Sequence, residues 1–209
     1  MWSWLAVGLS SFVSITAANE NKPKRGALFA FLTLFLLLWI IITYHGEREL
    51  THYWVMVALF FSTSSHMLKK MALKKYWYGY FIGSLLAQIC YSKAFWMQLP
   101  IGIVAWWIPA LLFAAAVMVF LLLLPQLERL FFPSFIMGMM LTQLSWSATR
   151  LWLNMPTFLH ALGILGCLLL IISVITGAIH NYRRPIKHPF YIIQGSFFAS
   201  QALLVASVL

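Results

Sequence analysis

Apolar residues along this chain come in long blocks, broken by short clusters of polar residues and proline. A helix rises about 1.5 Å per residue and needs about 20 residues to cross roughly 30 Å of hydrocarbon, so blocks of that length read as membrane spans. Eight qualify: residues 2–18, 26–44, 51–68, 76–97, 101–124, 130–152, 157–179 and 188–209. Pro23, Pro100, Pro125, Pro156 and Pro185 are expected between the spans, where the amide that proline lacks is not missed. The pattern predicts an all-α fold, a polytopic transmembrane helix bundle of eight spans, forming a single integral membrane domain over residues 1–209.

Composition agrees with the pattern. Hydrophobic residues make up 63% of the chain and charged residues 9%, with a mean hydropathy of +0.89. A soluble domain of 209 residues has too little interior to hide that much apolar surface. The small residues of Ser14–Ala18 resemble a signal-peptide cleavage site, but no Lys or Arg precedes the first run, which predicts a retained span. Cys90 and Cys167 lie inside apolar runs and read as small buried hydrophobes rather than a disulfide or a metal pair.

Charge then orients the bundle. Of 14 Lys and Arg residues, eleven fall in the connections after spans one, three, five and seven: Lys22, Lys24, Arg25, Lys69, Lys70, Lys74, Lys75, Arg129, Arg183, Arg184 and Lys187. The other connections hold only Arg48, and Lys93 and Arg150 lie within spans. The positive-inside rule therefore expects a multi-pass protein of the cell (inner) membrane with both termini on the non-cytoplasmic side. Short basic clusters flanking spans serve topology and anionic headgroups, so the net charge of +10 does not point to nucleic acid. Trp2, Trp4, Trp39, Trp54, Trp77, Trp96 and Trp152 lie near span ends, where amphipathic rings favour the interface.

Polar residues inside the spans recur at helical spacing. Span three carries Ser62, Ser65 and His66; span four Ser84, Gln88 and Tyr91; span six Gln143, Ser147 and Arg150; span seven Ser173, Thr176 and His180; span eight Gln194 and Gln201. These stripes are expected to face a shared interior, with span five bare and on the lipid boundary. Serine and threonine are read first as hydrogen-bonding glue between helices, and His180 and Arg150 as end residues that snorkel. Buried carboxamides such as Gln88 and Gln201 suit a headgroup or a water as well as a neighbour.

His66 is the one titratable side chain near hydrocarbon depth suited to cycling a proton near neutral pH. The chain has no Asp, and Glu20, Glu47, Glu49 and Glu128 all lie in connections, so no carboxylate pair is expected within the bilayer. Neither an HExxH motif nor a GxSxG elbow occurs, and no metal or cofactor is expected. Two related phrases, Gly83–Gln88 and Gly195–Gln201, follow basic connections and match with a one-residue gap. They fit a parallel four-plus-four repeat with the site where the halves meet.

From end to end the chain resembles the YhhN-type lysoplasmalogenases, eight-span membrane proteins of this length. The resemblance is carried by the short first span, by FLTLFLLLW at 31–39, by YWVMVALFFSTSSH at 53–66, and by Gln88 followed by Tyr91 and Phe95. It continues in GCLLLIIS at 166–173, in HNYRR at 180–184, and in FFASQALLVAS at 197–207. The family usually carries Gly-Asp where this chain has Ser65 and His66, Lys-Pro at Ala30 and Phe31, His at Gln88, and Ser-Asp at Ser173 and Val174. Gln201 matches a common family residue.

The resemblance implies hydrolysis of the vinyl-ether bond of a lysoplasmalogen to a fatty aldehyde and a glycerophospho-alcohol. Such a reaction needs a proton donor and a positioned water. With the family acids replaced, His66 becomes the expected acid, and Ser65, Gln88, Tyr91, Ser173 and Gln201 the expected substrate-binding residues. Along the helices His66 and Gln88 differ in depth by about 13 Å. The expected partner is a membrane lipid or lysolipid. The alternative is a non-catalytic protein that binds or moves a lysolipid or other amphiphile, which the missing carboxylates favour on chemical grounds.

Overall fold

The computed structural model describes residues 2–20, 22–44, 50–70, 77–99, 106–123, 131–182 and 186–209. Among these residues there are eight helices and no strand: α1 (Trp2–Asn19), α2 (Pro23–Ile42), α3 (Leu50–Lys70), α4 (Trp77–Met97), α5 (Trp107–Leu123), α6 (Phe131–Asn154), α7 (Phe158–Tyr182) and α8 (Pro189–Ala206). Each falls on one of the eight apolar runs. Pro23 does not lie between spans as expected but opens α2, where its fixed φ suits the first helical turn and no donor is lost. Pro156 does lie in a connection, whereas Pro100, Pro125 and Pro185 fall outside the described residues, as do Arg48, Lys74, Lys75, Arg129, Arg183 and Arg184.

Judged singly by length and hydropathy, three described helices qualify as spans, at Lys24–Ile42, Phe158–Asn181 and Pro189–Ala206. Helices α3, α4 and α6 fall short because they carry serines, glutamines and histidine, and most of these residues turn away from lipid. A mean taken over a helix cannot register which face its polar residues occupy.

Packing runs α1–α2–α3–α4–α6–α7–α8 and returns to α1, which closes a ring of seven helices. Helix α5 stands outside it, packed on α6 and more lightly on α7. Three hairpins carry the most extensive packing, and each is tied by a serine. Ser14 donates to the Gly26 carbonyl at 2.8 Å, Ser65 and Ser84 share a 2.7 Å bond, and Ser173 donates to the Ile193 carbonyl at 2.7 Å. Hydroxyls paired across close helices are the expected adhesive where lipid removes any hydrophobic drive to associate.

The phrases beginning Gly83 and Gly195 fall on α4 and α8, the second helices of their hairpins. Their first residues are used differently. A Cβ at Gly83 would sit 2.9 Å from that of Ser65, so the glycine lets α3 and α4 approach closely, whereas at Gly195 the nearest atom is an Ile15 methyl at 3.8 Å. Ser84 bonds across to Ser65, but Ser196 bonds back to its own helix at Ile192. The feature common to both phrases is the glutamine, since Gln88 and Gln201 are both buried beside the cavity.

The bundle has a packed half and a hollow half. Leu34, Leu37, Val55, Leu59, Phe95, Leu144, Leu151 and Leu204 form a continuous apolar core at one end. At that end Arg150 lies over the Trp96 ring at 5.0 Å, and Trp146 packs edge-on to Trp96. Trp96 and Arg150 are thus packed against each other at that end.

Candidate functional site

The hollow half holds a cavity of about 940 Å³. Its lining comes from the second halves of α3 and α7 and the first parts of α4, α6 and α8, with Ala18 and Gly26 from the first hairpin. All of these segments adjoin the connections after α1, α3, α5 and α7, the ones rich in Lys and Arg. The cavity therefore lies at the basic end of the bundle.

All six sequence-predicted site residues, His66, Ser65, Gln88, Tyr91, Ser173 and Gln201, line this one space. His66 is buried, with its ring stacked on Phe197 at 4.9 Å and 9° and flanked by Phe198 at 5.7 Å. Those two contacts fix the plane of the imidazole. The Tyr91 hydroxyl, fully buried, donates to Gln201 Oε1 at 2.8 Å and joins α4 to α8 at the cavity wall. Gln88 is buried as well, and its Oε1 makes no hydrogen bond to another described residue. A carboxamide in that state is a ready receptor for a hydroxyl, whether of water or of a ligand. Ser65 and Ser173 line the space, but their hydroxyls are already engaged in the hairpin ties, so they contribute shape more than free hydrogen-bonding capacity.

Two expectations need correction. The stripe of Gln143, Ser147 and Arg150 does not face the cavity. Ser147 bonds back to the Leu144 carbonyl and Arg150 covers Trp96, while α6 presents Ser134, Met137, Gly138, Leu141, Thr142 and Ser145 instead. That face is mixed in polarity, so counting polar residues selected the neighbouring one. Helix α5 is also not purely a lipid-facing element: Leu112, Ala115, Ala116 and Phe120 form an apolar cavity wall. Apolar residues beside a cavity carry no polar signal that would mark them in the sequence.

The cavity mouth holds two residues of the expected stripes, His180 and Gln194, and adds Asn181, which the sequence did not single out. The His180 Nδ1 accepts the Ile186 backbone N–H at 3.0 Å, and Gln194 is buried with its Oε1 unpartnered among the described residues. Sequence position alone marked His180 as an end-of-span residue. The fold puts this end beside the cavity, in line with the stripe.

An eight-helix bundle with long apolar helices and a cavity lined from its basic end defines a polytopic helical membrane protein. The chain belongs to the YhhN family, which it matches over residues 26–208. It is 27% identical over 212 aligned residues to a protein of Escherichia coli O6:H1 named as an uncharacterized membrane protein YhhN, covering 100% of this chain and 99% of that one. Proteins of the same name from Escherichia coli O157:H7 and Shigella flexneri match to the same extent. No solved structure matches the chain.

Proposed function

We propose that the protein is a lysoplasmalogenase-like hydrolase that admits a single-chain vinyl-ether lipid to the cavity and releases a fatty aldehyde and a glycerophospho-alcohol. The observation that carries this reading is one apolar-walled space of about 940 Å³ that brings His66, Gln88, Tyr91 and Gln201 together. Its volume is near the upper end of the roughly 300–1,000 Å³ usual for ligand pockets, which suits a long-chain amphiphile. Helix α5, with Met137 and Leu141 of α6, offers apolar wall for a chain, and the polar residues of α3, α4 and α8 offer hydrogen bonds for its glycerol.

In this reading His66 protonates the alkene carbon remote from the ether oxygen, leaving an oxocarbenium ion. A water held by the Gln88 and Gln201 carboxamides adds to that ion, and the hemiacetal collapses. The Ser65–Ser84 bond sets the α3–α4 register, so Gln88 lies about 6 Å along α4 from the level of Ser65, not the expected distance of about 13 Å. Overall R–CH=CH–O–R′ and water give R–CH₂–CHO and HO–R′, with no redox change. The test is incubation of purified protein with the lyso-vinyl-ether lipid and its saturated-ether analogue, with aldehyde as readout. Aldehyde from the first alone supports the reading, and aldehyde from neither overturns it. A second reading, amphiphile binding or movement without catalysis, is favoured by one observation: no carboxylate lines the cavity among the described residues. Binding of both lipids without aldehyde release would establish that reading in its place.

We infer that the basic end, and with it the cavity mouth, faces the cytoplasmic side of the cell (inner) membrane with both termini outside, a reading supported by the eleven Lys and Arg residues that the sequence puts at the ends of those spans. Single cysteines introduced at Lys69 or Lys70 are expected to resist an impermeant maleimide added to intact cells and to react after the inner face is opened. Labelling in intact cells reverses the orientation.

A further inference from the structure

The α3–α4 and α7–α8 hairpins furnish the cavity with corresponding side chains. Each first helix carries a histidine near its end, His66 or His180, and each second helix a glutamine, Gln88 or Gln201; all four line the same space. The histidines nevertheless differ in what they can do. His66 is stacked between aromatic rings, whereas the Nδ1 of His180 is occupied by the Ile186 N–H at 3.0 Å. A ring that accepts at Nδ1 carries its proton at Nε2, so His180 is a fixed hydrogen-bond donor at that atom.

The surroundings suit an acceptor that is also an anion. Asn181, the next residue, adds an amide at the mouth, and among the described residues Lys22, Lys24, Arg25, Lys69, Lys70 and Lys187 lie at this end of the bundle. Glu20, the acid described there, is paired with Lys22 at 2.8 Å, and the ammonium holds its carboxyl below the usual range. His180 lies two residues from the end of α7 and His66 four from the end of α3.

We propose that the cavity mouth is a phosphodiester-binding subsite in which the Nε2–H of His180, with the Asn181 amide beside it, receives the anionic headgroup. The assignment rests on the lipid reading above and extends it. A phosphate held at His180 leaves the rest of the lipid free to extend into the cavity that His66 also lines. His180 is then a binding and positioning residue and takes no part in proton transfer.

The test uses the full-length protein in nanodiscs and ligands that cannot be hydrolysed. Dissociation constants are measured for a saturated-ether lysophospholipid and for the matching uncharged monoalkylglycerol, on the wild type, His180→Ala and His180→Gln. The Gln variant places an amide donor where Nε2–H was. The wild type is expected to prefer the phosphorylated ligand, His180→Ala to lose about tenfold of that preference, the cost of a hydrogen bond to a charged group, and His180→Gln to regain most of it. Affinity for the uncharged ligand stays constant across the three. Equal loss for both ligands, or an unchanged preference in His180→Ala, overturns the subsite.

Inorganic phosphate distinguishes the two sources of the anion. Displacement of the lysophospholipid by millimolar phosphate identifies the free ion as a ligand, and no displacement together with the His180→Ala effect assigns the site to the lipid headgroup. If neither lipid binds, the lipid reading fails. The subsite is then judged on phosphate binding alone, and loss of that binding in His180→Ala retains it, while no phosphate binding in the wild type overturns it.

Discussion

His66→Gln is expected to lower aldehyde release by about 10² or more, the usual contribution of a positioned general acid. Glutamine keeps much of the volume of the imidazole and some of its hydrogen bonding, but it cannot deliver a proton. The structure places the ring in the cavity, stacked flat on Phe197, so the substitution leaves the surrounding helices with little to rearrange. Binding of the saturated-ether analogue, measured on the same preparation, separates chemistry from folding. Retained binding with lost turnover assigns the proton to His66, and full turnover in the variant removes the assignment. His66→Asp restores the residue type of the resembled family at this position, and vinyl-ether cleavage at or above the wild-type rate is expected from it.

Gly166→Val is expected to destabilise the bundle by about 1–3 kcal/mol, the range for inserting methyl groups into a filled interior. A Cβ at Gly166 would already stand 3.0 Å from Leu204 Cγ, 3.2 Å from the Leu204 nitrogen and 3.2 Å from the Ser200 carbonyl. Two of those three atoms are backbone, so no rotamer change relieves the contact and α7 must move away from α8. Gly8→Val is the control, since no neighbouring heavy atom lies within 4 Å of a Cβ there. Thermal unfolding in detergent reads the difference, and equal midpoints for the two variants contradict the close packing of α7 on α8.

The fold was legible because bilayer crossing imposes one demand on every segment, and eight apolar runs of suitable length meet it. The site was legible where polarity marks it. His66, Gln88 and Gln201 stand out in apolar surroundings, and all three line the cavity. What escaped was whatever carries no such mark. Ala115 and Ala116 of α5 line the space yet look like lipid-facing residues, and Gln143 looks like a lining residue yet lies off the cavity face of α6. A helical stripe read from sequence gives the angle between residues, but not the direction of the neighbouring helix, which only tertiary packing sets. For the same reason Pro23 reads as a break although it starts a helix, because its missing amide costs nothing in either place.

The division of the described residues into a hollow half and a packed half gives the bundle the form of a cup. Above the cavity Leu34, Leu59, Phe95 and Leu204 are fully buried and fill the bundle, and the Ser147 and Ser207 hydroxyls at that end bond back to their own helices. A cup leaves the electrical resistance of the membrane intact while it is full, empty or turning over. Cells that overproduce the protein should hold their proton-motive force, and whatever enters the hollow must leave through the same half of the bundle, by the basic rim or sideways into the adjoining leaflet.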